Sequence, residues 1–137
     1  MLKIKENNKN IDEFNLLYDS VEWGAYDKNI SKIALDNTFY SVSVYDDDNI
    51  IGYGRLIGDT ICFMYIQDVM VKPKFQNKKI GTLIMNKLLE KVNELKRENP
   101  NIKVYVGASK DKEKFYERFG FVKRIDENLG YGMILKK

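Results

Sequence analysis

The segment most suited to chemistry is Val71 to Thr82, VKPKFQNKKIGT, a polar and basic stretch between an apolar run and a strongly amphipathic one. Backbone N–H groups at the start of a helix have no internal partners and sit at the positive end of the helix dipole, so they favour a phosphate. Lys78 and Lys79 add positive charge there, and Gly81 removes a side chain where ligand oxygens would approach the backbone. Gly, Lys and Asn also suit an ordinary strand-to-helix turn, so this segment alone leaves both readings open. Gln67 and Asp68 are polar interruptions of the apolar run Ile61 to Val71. A carboxylate in such a run either takes a proton from a substrate or is satisfied by internal hydrogen bonds. The chain has no histidine and one cysteine, Cys62. That removes the usual general base, histidine-bound zinc and an intrachain disulfide. Cys62 is expected to be a small core residue.

The elements that must position these residues follow from apolar periodicity. Leu2 to Lys5 is expected as a short first strand, followed by a helix carrying Ile11, Phe14, Leu17, Tyr18 and Val21 on one face, with Asn10 or Asp12 near its start. A second helix is expected over Lys28 to Leu35, with Ile30, Ile33 and Ala34 inward, and Trp23, Gly24 and Tyr26 lie in the link before it. Phe39–Tyr45 and Ile50–Ile57 read as a hairpin turning at Asp46–Asn49. Ile61–Val71 reads as a central strand covered on both faces, and Ile80 to about Leu95 as a long helix with Ile80, Ile84, Leu88, Val92 and Leu95 on one side. A strand at 102–106, a short helix at 111–119 and strands at 121–125 and 132–135 complete the order. The strand-helix-strand succession makes 61–71 and 102–106 parallel neighbours in an otherwise mostly antiparallel sheet.

Two segments carry a resemblance to a known family. Gln76-Asn77-Lys78-Lys79-Ile80-Gly81, preceded by Tyr65–Val71 and Pro73, resembles the pyrophosphate loop Gln/Arg-x-x-Gly-x-Gly/Ala of the GCN5-related N-acetyltransferases (GNAT). Lys79 stands where that family usually has its first glycine. Lys114 to Phe121, KFYERFGF, is similar to the family's Phe-Tyr-x-x-x-Gly-Phe signature. The resemblance implies an α/β fold with a GNAT-like central mixed sheet, one parallel strand pair and about four helices covering both faces, as a single domain over 1–137. It implies an N-acetyltransferase moving an acetyl group directly from acetyl-CoA to a primary amine in a ternary complex, with no metal. Val69, Met70 and Val71 would pair with the pantetheine arm like an added strand, and Gln76, Asn77, Lys78, Lys79, Ile80, Gly81 and Thr82 would hold the pyrophosphate. Tyr116 would protonate the departing thiolate. Asp68 and Glu22 are the carboxylates to watch for the amine's proton, and Glu22, Trp23, Tyr26 and Gln67 would border the acceptor, with Tyr65 either beside them or in the core. Lys110 to Lys114 reads as a solvated face that could touch the adenosine.

Composition sets the outer limits. At 137 residues, 44% of them hydrophobic, the chain suits one domain, and 23 basic against 20 acidic residues give a net charge of only +3. Nothing in that balance calls for nucleic acid, although salt-dependent nucleic-acid binding is one rival reading. A non-catalytic acyl-CoA-binding module of the same fold is the other. The opening MLKIKENNKN has no signal-like apolar core and no run reaches membrane-spanning length, so a cytoplasmic enzyme with a small-molecule or peptide amine acceptor is expected. Dimers are common in the family, which leaves a homodimer open.

Overall fold

The computed structural model describes residues 1–136, which fall into two compact units, Met1–Tyr105 and a second one beginning at Val106. A five-stranded sheet, in the first unit save for its last residue Val106, has the order β1 (Leu2–Glu6), β2 (Tyr40–Asp46), β3 (Asn49–Gly58), β4 (Phe63–Val71) and β5 (Lys103–Val106). The first four are antiparallel neighbours and β5 runs parallel to β4. Helices α1 (Ile11–Ser20) and α2 (Lys28–Asp36) belong to one face, and α3 (Ile80–Glu98) to the other. Asn10 caps α1 by accepting from the Glu13 N–H, and Asp27 caps α2 through the Asn29 N–H.

Alternation along the strands builds two core layers. Tyr45, Tyr53 and Met70 meet Phe14, Leu17, Tyr18 and Leu35 on the α1 side. On the other side α3 buries Ile80, Ile84, Met85, Leu88 and Val92 against β2, β3 and β4. A Cβ at Gly52 would stand 3.0 Å from Ile84 Cδ1, and one at Gly54 only 2.6 Å from Ile84 Cγ2. These two glycines therefore let α3 lie close against β3 and set where its first turn falls.

Several expectations are corrected. β4 is not covered throughout: Phe63 and Tyr65 are each 41% exposed, and Cys62, just before it, is exposed and not in the core. In α2 the buried positions are Ser31 and Leu35, while Ile30 and Ile33 face solvent. Ser31 lies inward because its hydroxyl donates to Asn15 Oδ1 at 2.6 Å, a partner that apolar periodicity does not see.

The second unit contains α4 (Glu113–Glu117) and a 3-10 turn at Arg124–Glu127. The expected helix over 111–119 is thus shorter. The strands expected at 121–125 and 132–135 do not form: 121–123 has no regular structure, Arg124 and Ile125 open the 3-10 turn, and 131–136 has no regular structure. The physical reason in the first segment is that local bonds take its backbone groups: the Phe121 N–H donates to the Tyr116 carbonyl, the Asp126 N–H to the Lys123 carbonyl and the Leu129 N–H to the Arg124 carbonyl, which turns the chain where a strand would need a ladder. Met133, Ile134 and Leu135 are nearly fully exposed. What orders this unit is an aromatic cluster: Phe115 meets Tyr116 at 5.0 Å and Phe119 at 5.3 Å between ring centroids, and Tyr116 meets Phe121 at 6.2 Å.

Candidate active site

β4 is broken in the middle by a bulge. Tyr53 pairs with Met70 and Arg55 with Gln67, so Asp68 and Val69 together oppose the single residue Gly54. Asp68 takes a left-handed backbone conformation at φ 54°. The bulge puts Gln67 and Asp68 on the same side of the sheet, toward α1, because Gln67 shares a face with its partner Arg55 and Asp68 reaches that same arginine. Both carboxylate oxygens of Asp68 are engaged. The Tyr18 hydroxyl donates to Oδ1, and Arg55 Nε donates to Oδ2 at 2.7 Å. Arg55 also donates to the Ala34 carbonyl at 3.1 Å and to Thr38 Oγ1 at 3.0 Å, and its guanidinium stands 5.8 Å from the Phe14 ring centre. Burial of its ring, and then the Asp68 carboxylate it faces, push the Tyr18 phenol far above its ordinary pKa, so it remains a donor at neutral pH.

The link between α1 and α2 is built around the same tyrosine. Trp23 packs edge-on against the Tyr18 ring at 5.5 Å and Tyr26 at 5.3 Å. The Trp23 N–H donates to the Tyr18 carbonyl, Asp19 accepts from the Ala25 N–H, and Asn15 donates to the Tyr26 carbonyl. Trp23 and Tyr26 are each nearly half exposed. Glu22, exposed, occupies a left-handed turn at φ 65°. Of the residues expected to border an acceptor, Trp23 and Tyr26 are thus brought together, and Tyr18 connects them to the bulge beside Gln67. Tyr65 instead stacks on Tyr105 of β5 at 5.4 Å, and Phe63 stacks on the same ring at 5.9 Å.

β5 has four residues against the nine of β4. It enters where the Lys103 N–H donates to the Cys62 carbonyl at 2.8 Å, so it accompanies only the first half of β4. Past the bulge, Met70 and Val71 keep their β3 partners Tyr53 and Gly52 on one side, and the four residues of β5, which start beside Cys62, are too few to follow β4 that far on the other. Beyond β4 the chain makes a 3-10 turn at Pro73–Phe75, and Gln76 folds back to donate to the Val71 carbonyl at 3.0 Å. Asn77 and Lys79 both have left-handed backbones, at φ 62° and 66°. Lys79 is the N-cap of α3 and makes no side-chain cap, so the N–H groups of Ile80, Gly81 and Thr82 have no side-chain acceptor from it. The first helical bond runs from the Leu83 N–H to the Lys79 carbonyl. The first turn carries no acidic residue, and Lys72, Lys74, Lys78 and Lys79 all lie in the segment that leads into it, with the Lys78 ammonium 5.7 Å from the Phe75 ring centre. These donors without a side-chain cap, at the start of a 19-residue helix that follows a lysine-rich segment, suit a pyrophosphate.

Within the second unit, burial raises the Tyr116 phenol above its ordinary pKa. Tyr116 therefore keeps its proton at neutral pH, whatever its role. Sequence reasoning had passed over Tyr18 and Arg55. Arg55 was nonetheless visible as the one charged residue in the apolar strand Ile50–Ile57, and a buried cation of that kind calls for a buried anion.

Comparison with known proteins decides the family. Residues 13–134 match the family model of the acetyltransferase (GNAT) domain. The chain belongs to the GNAT acetyltransferase family. It is 30% identical over 117 residues to the uncharacterized N-acetyltransferase ycf52 of Gracilaria tenuistipitata var. liui, a match that takes in 82% of this chain and 62% of that protein. With the ycf52 protein of Pyropia yezoensis the identity is 29% over 126 residues, 88% of this chain and 70% of that one. The chain thus spans a little under two thirds of the Gracilaria relative. In fold it is similar, at TM-score 0.83 and 23% identity, to a GNAT-family acetyltransferase from Streptococcus pneumoniae, covering 100% of this chain and 98% of the other. An aminoglycoside N-acetyltransferase solved in complex with CoA superposes at TM-score 0.71 and 12% identity over 100% of this chain and 95% of its own. Among the described residues no helix is long and apolar enough to cross a membrane.

Proposed function

We propose that this chain is an acetyl-CoA-dependent N-acetyltransferase acting on a primary amine, with both substrates bound together. The observation that carries the reading is the start of α3, which has no side-chain cap and follows a lysine-rich segment and a bulged strand. Asn77 to Thr82 would hold the pyrophosphate with backbone N–H groups, and Lys78 and Lys79 would add charge. Gln76 is already tied to the Val71 carbonyl and would fix the approach of the loop. The backbone of Val69, Met70 and Val71 would pair with the amides of the pantetheine arm. Acetyl-CoA supplies the acetyl thioester. Gln67, Glu22, Trp23 and Tyr26 would receive the amine, whose cationic or apolar parts suit the two exposed aromatic faces.

Tyr116 is the proposed proton donor to the leaving thiolate, since a phenol with its pKa raised by burial holds its proton until a strong base forms. The amine's proton would pass to solvent, with Glu22 the exposed carboxylate beside the aromatic pair. The cytoplasm is the proposed location.

The test combines two measurements on the whole chain. Coenzyme A at 100 times its dissociation constant should stabilise the fold by about 2.7 kcal/mol. A panel of primary amines should release free thiol from acetyl-CoA, and Tyr116→Phe should lower kcat by roughly 10²- to 10⁴-fold with little change in cofactor affinity. Stabilisation without thiol release from any amine would favour a binding module. Absence of stabilisation at millimolar coenzyme A would end the reading.

A further inference from the structure

A left-handed residue in the middle of a strand is costly unless the surroundings fix it, and at Asp68 they do so directly from α1 and β3 and, through Arg55, from the end of α2. Tyr18 comes from α1, Arg55 from β3, and Arg55 in turn is held by Ala34 and Thr38 at the end of α2. The Arg55 and Asp68 side chains are only 14% and 10% exposed, and Tyr18 is 7% exposed. A carboxylate whose two oxygens each accept from a fixed donor is poorly placed to collect a proton from an incoming amine. It is well placed to hold a backbone. The residues it precedes, Val69 to Val71, form the part of β4 that the four residues of β5 are too few to follow.

We propose that Tyr18 and Arg55 are positioning residues which, by gripping the Asp68 carboxylate, lock the bulge of β4 and so fix the Val69–Val71 backbone for its coenzyme A partner. Asp68 on this view anchors the site and does not take the amine's proton. Tyr18 has a second consequence. Its ring carries Trp23 and Tyr26, so the same side chain that anchors the donor strand also sets the acceptor-side aromatics. The inference rests on the acetyltransferase reading above.

The experiment is coenzyme A affinity by calorimetry, together with kcat and KM across pH, for wild type, Asp68→Asn, Asp68→Ala and Tyr18→Phe. Asparagine tolerates the left-handed conformation and keeps a hydrogen-bonding oxygen, but it cannot act as a base. Alanine tolerates neither requirement. Asp68→Asn should therefore keep kcat within about 10-fold and retain the acidic limb of the pH profile, whereas Asp68→Ala should weaken coenzyme A binding by about 10-fold or more. Tyr18→Phe should weaken coenzyme A about 3- to 10-fold, less than the full worth of a hydrogen bond to a charged group because Arg55 still holds the Asp68 carboxylate, with kcat nearly unchanged. If Asp68→Ala does not fold, the Tyr18→Phe affinity decides alone, and an unchanged value overturns the proposal. A loss of kcat above 100-fold in Asp68→Asn, with the acidic limb gone and affinity intact, would make Asp68 the base and overturn it too. Failure of wild type itself to bind coenzyme A would instead sink the acetyltransferase reading, and this proposal with it.

Discussion

Asp68 and Lys79 are both non-glycine residues in the left-handed region, at φ 54° and 66°, and they bracket the proposed cofactor site at its two ends. Asp68 is pinned by Tyr18 and Arg55 and largely buried. Lys79 is exposed, makes no capping bond and has no salt-bridge partner among the described residues. The same backbone conformation is thus paid for in different ways. At Asp68 the protein supplies the compensating interactions before any ligand arrives. At Lys79 it leaves a left-handed turn, a first helical turn without a side-chain cap and an ammonium, and an anion would suit the last two. On the proposed function, the strand that would present a fixed edge is held from within, while the loop that would close on phosphates is left open.

The sharpest way to break this contrast is to remove the internal support. Arg55→Met should destabilise the first unit by about 3–5 kcal/mol, because it strips a buried carboxylate of its charged partner. A urea titration of the variant against wild type measures this. A loss under about 1 kcal/mol would mean that Asp68 is satisfied without Arg55, and the bulge would then be held by something else.

Much of this was legible in the sequence, and the exceptions have physical causes. The β2–β3 hairpin, the long α3 and the parallel β4–β5 pair follow from apolar periodicity, turn residues and connection rules, whereas the pairing of β1 with β2 was not legible because no short connection joins them. The loop at 76–82 was legible because its signal is local: charge, a helix start and one glycine. Lys79 was read as a departure from a glycine pattern, and its left-handed φ shows what that position demands of the backbone. The grip on Asp68 was not legible, since Tyr18, Arg55 and Asp68 lie far apart in the chain and Tyr18 had already been assigned to a core face by its spacing. Ile30 and Ile33 were misplaced for a related reason: in a nine-residue helix, one inward serine bonded to Asn15 turns the buried face by most of a position. The strands expected near the C-terminus were read from residue type alone, which cannot supply a ladder partner.

Alkaline pH tests the anchored end more gently. Burial, then hydrogen bonding or neighbouring charge, raises the phenols of Tyr18, Tyr40 and Tyr45, and burial pushes Tyr53 up to about 12. In the unfolded chain these groups release their protons near pH 10. Stability owed to the raised values is therefore fully present below pH 10 and lost as pH climbs above it, while the folded protein still holds protons that the unfolded chain has shed. Urea midpoints from pH 8.5 to 11.5 should fall, and Tyr18→Phe should flatten that fall by removing one of the contributing phenols. An equal slope in the variant would detach Tyr18 from the buried set.

The smallest effects belong to Lys79, and they separate its backbone from its charge. Lys79→Gly relieves the left-handed strain, which costs an L-residue roughly 1 kcal/mol, and part of that gain is offset by the greater entropy of glycine in the unfolded chain. The free protein should therefore be unchanged or up to about 1 kcal/mol more stable. Lys79→Ala keeps the strain and deletes only the ammonium, so the free protein should change little. For coenzyme A the two variants should behave alike, each losing a few-fold in affinity at about 0.01 M salt and almost nothing near 1 M, because the Debye length shrinks from roughly 30 to 3 Å over that range. Calorimetric titrations at the two salt concentrations read both quantities. If glycine binds coenzyme A as well as lysine does at low salt while alanine does not, conformation and not charge governs this end of the site, and Lys79 differs from Asp68 only in lacking an internal anchor.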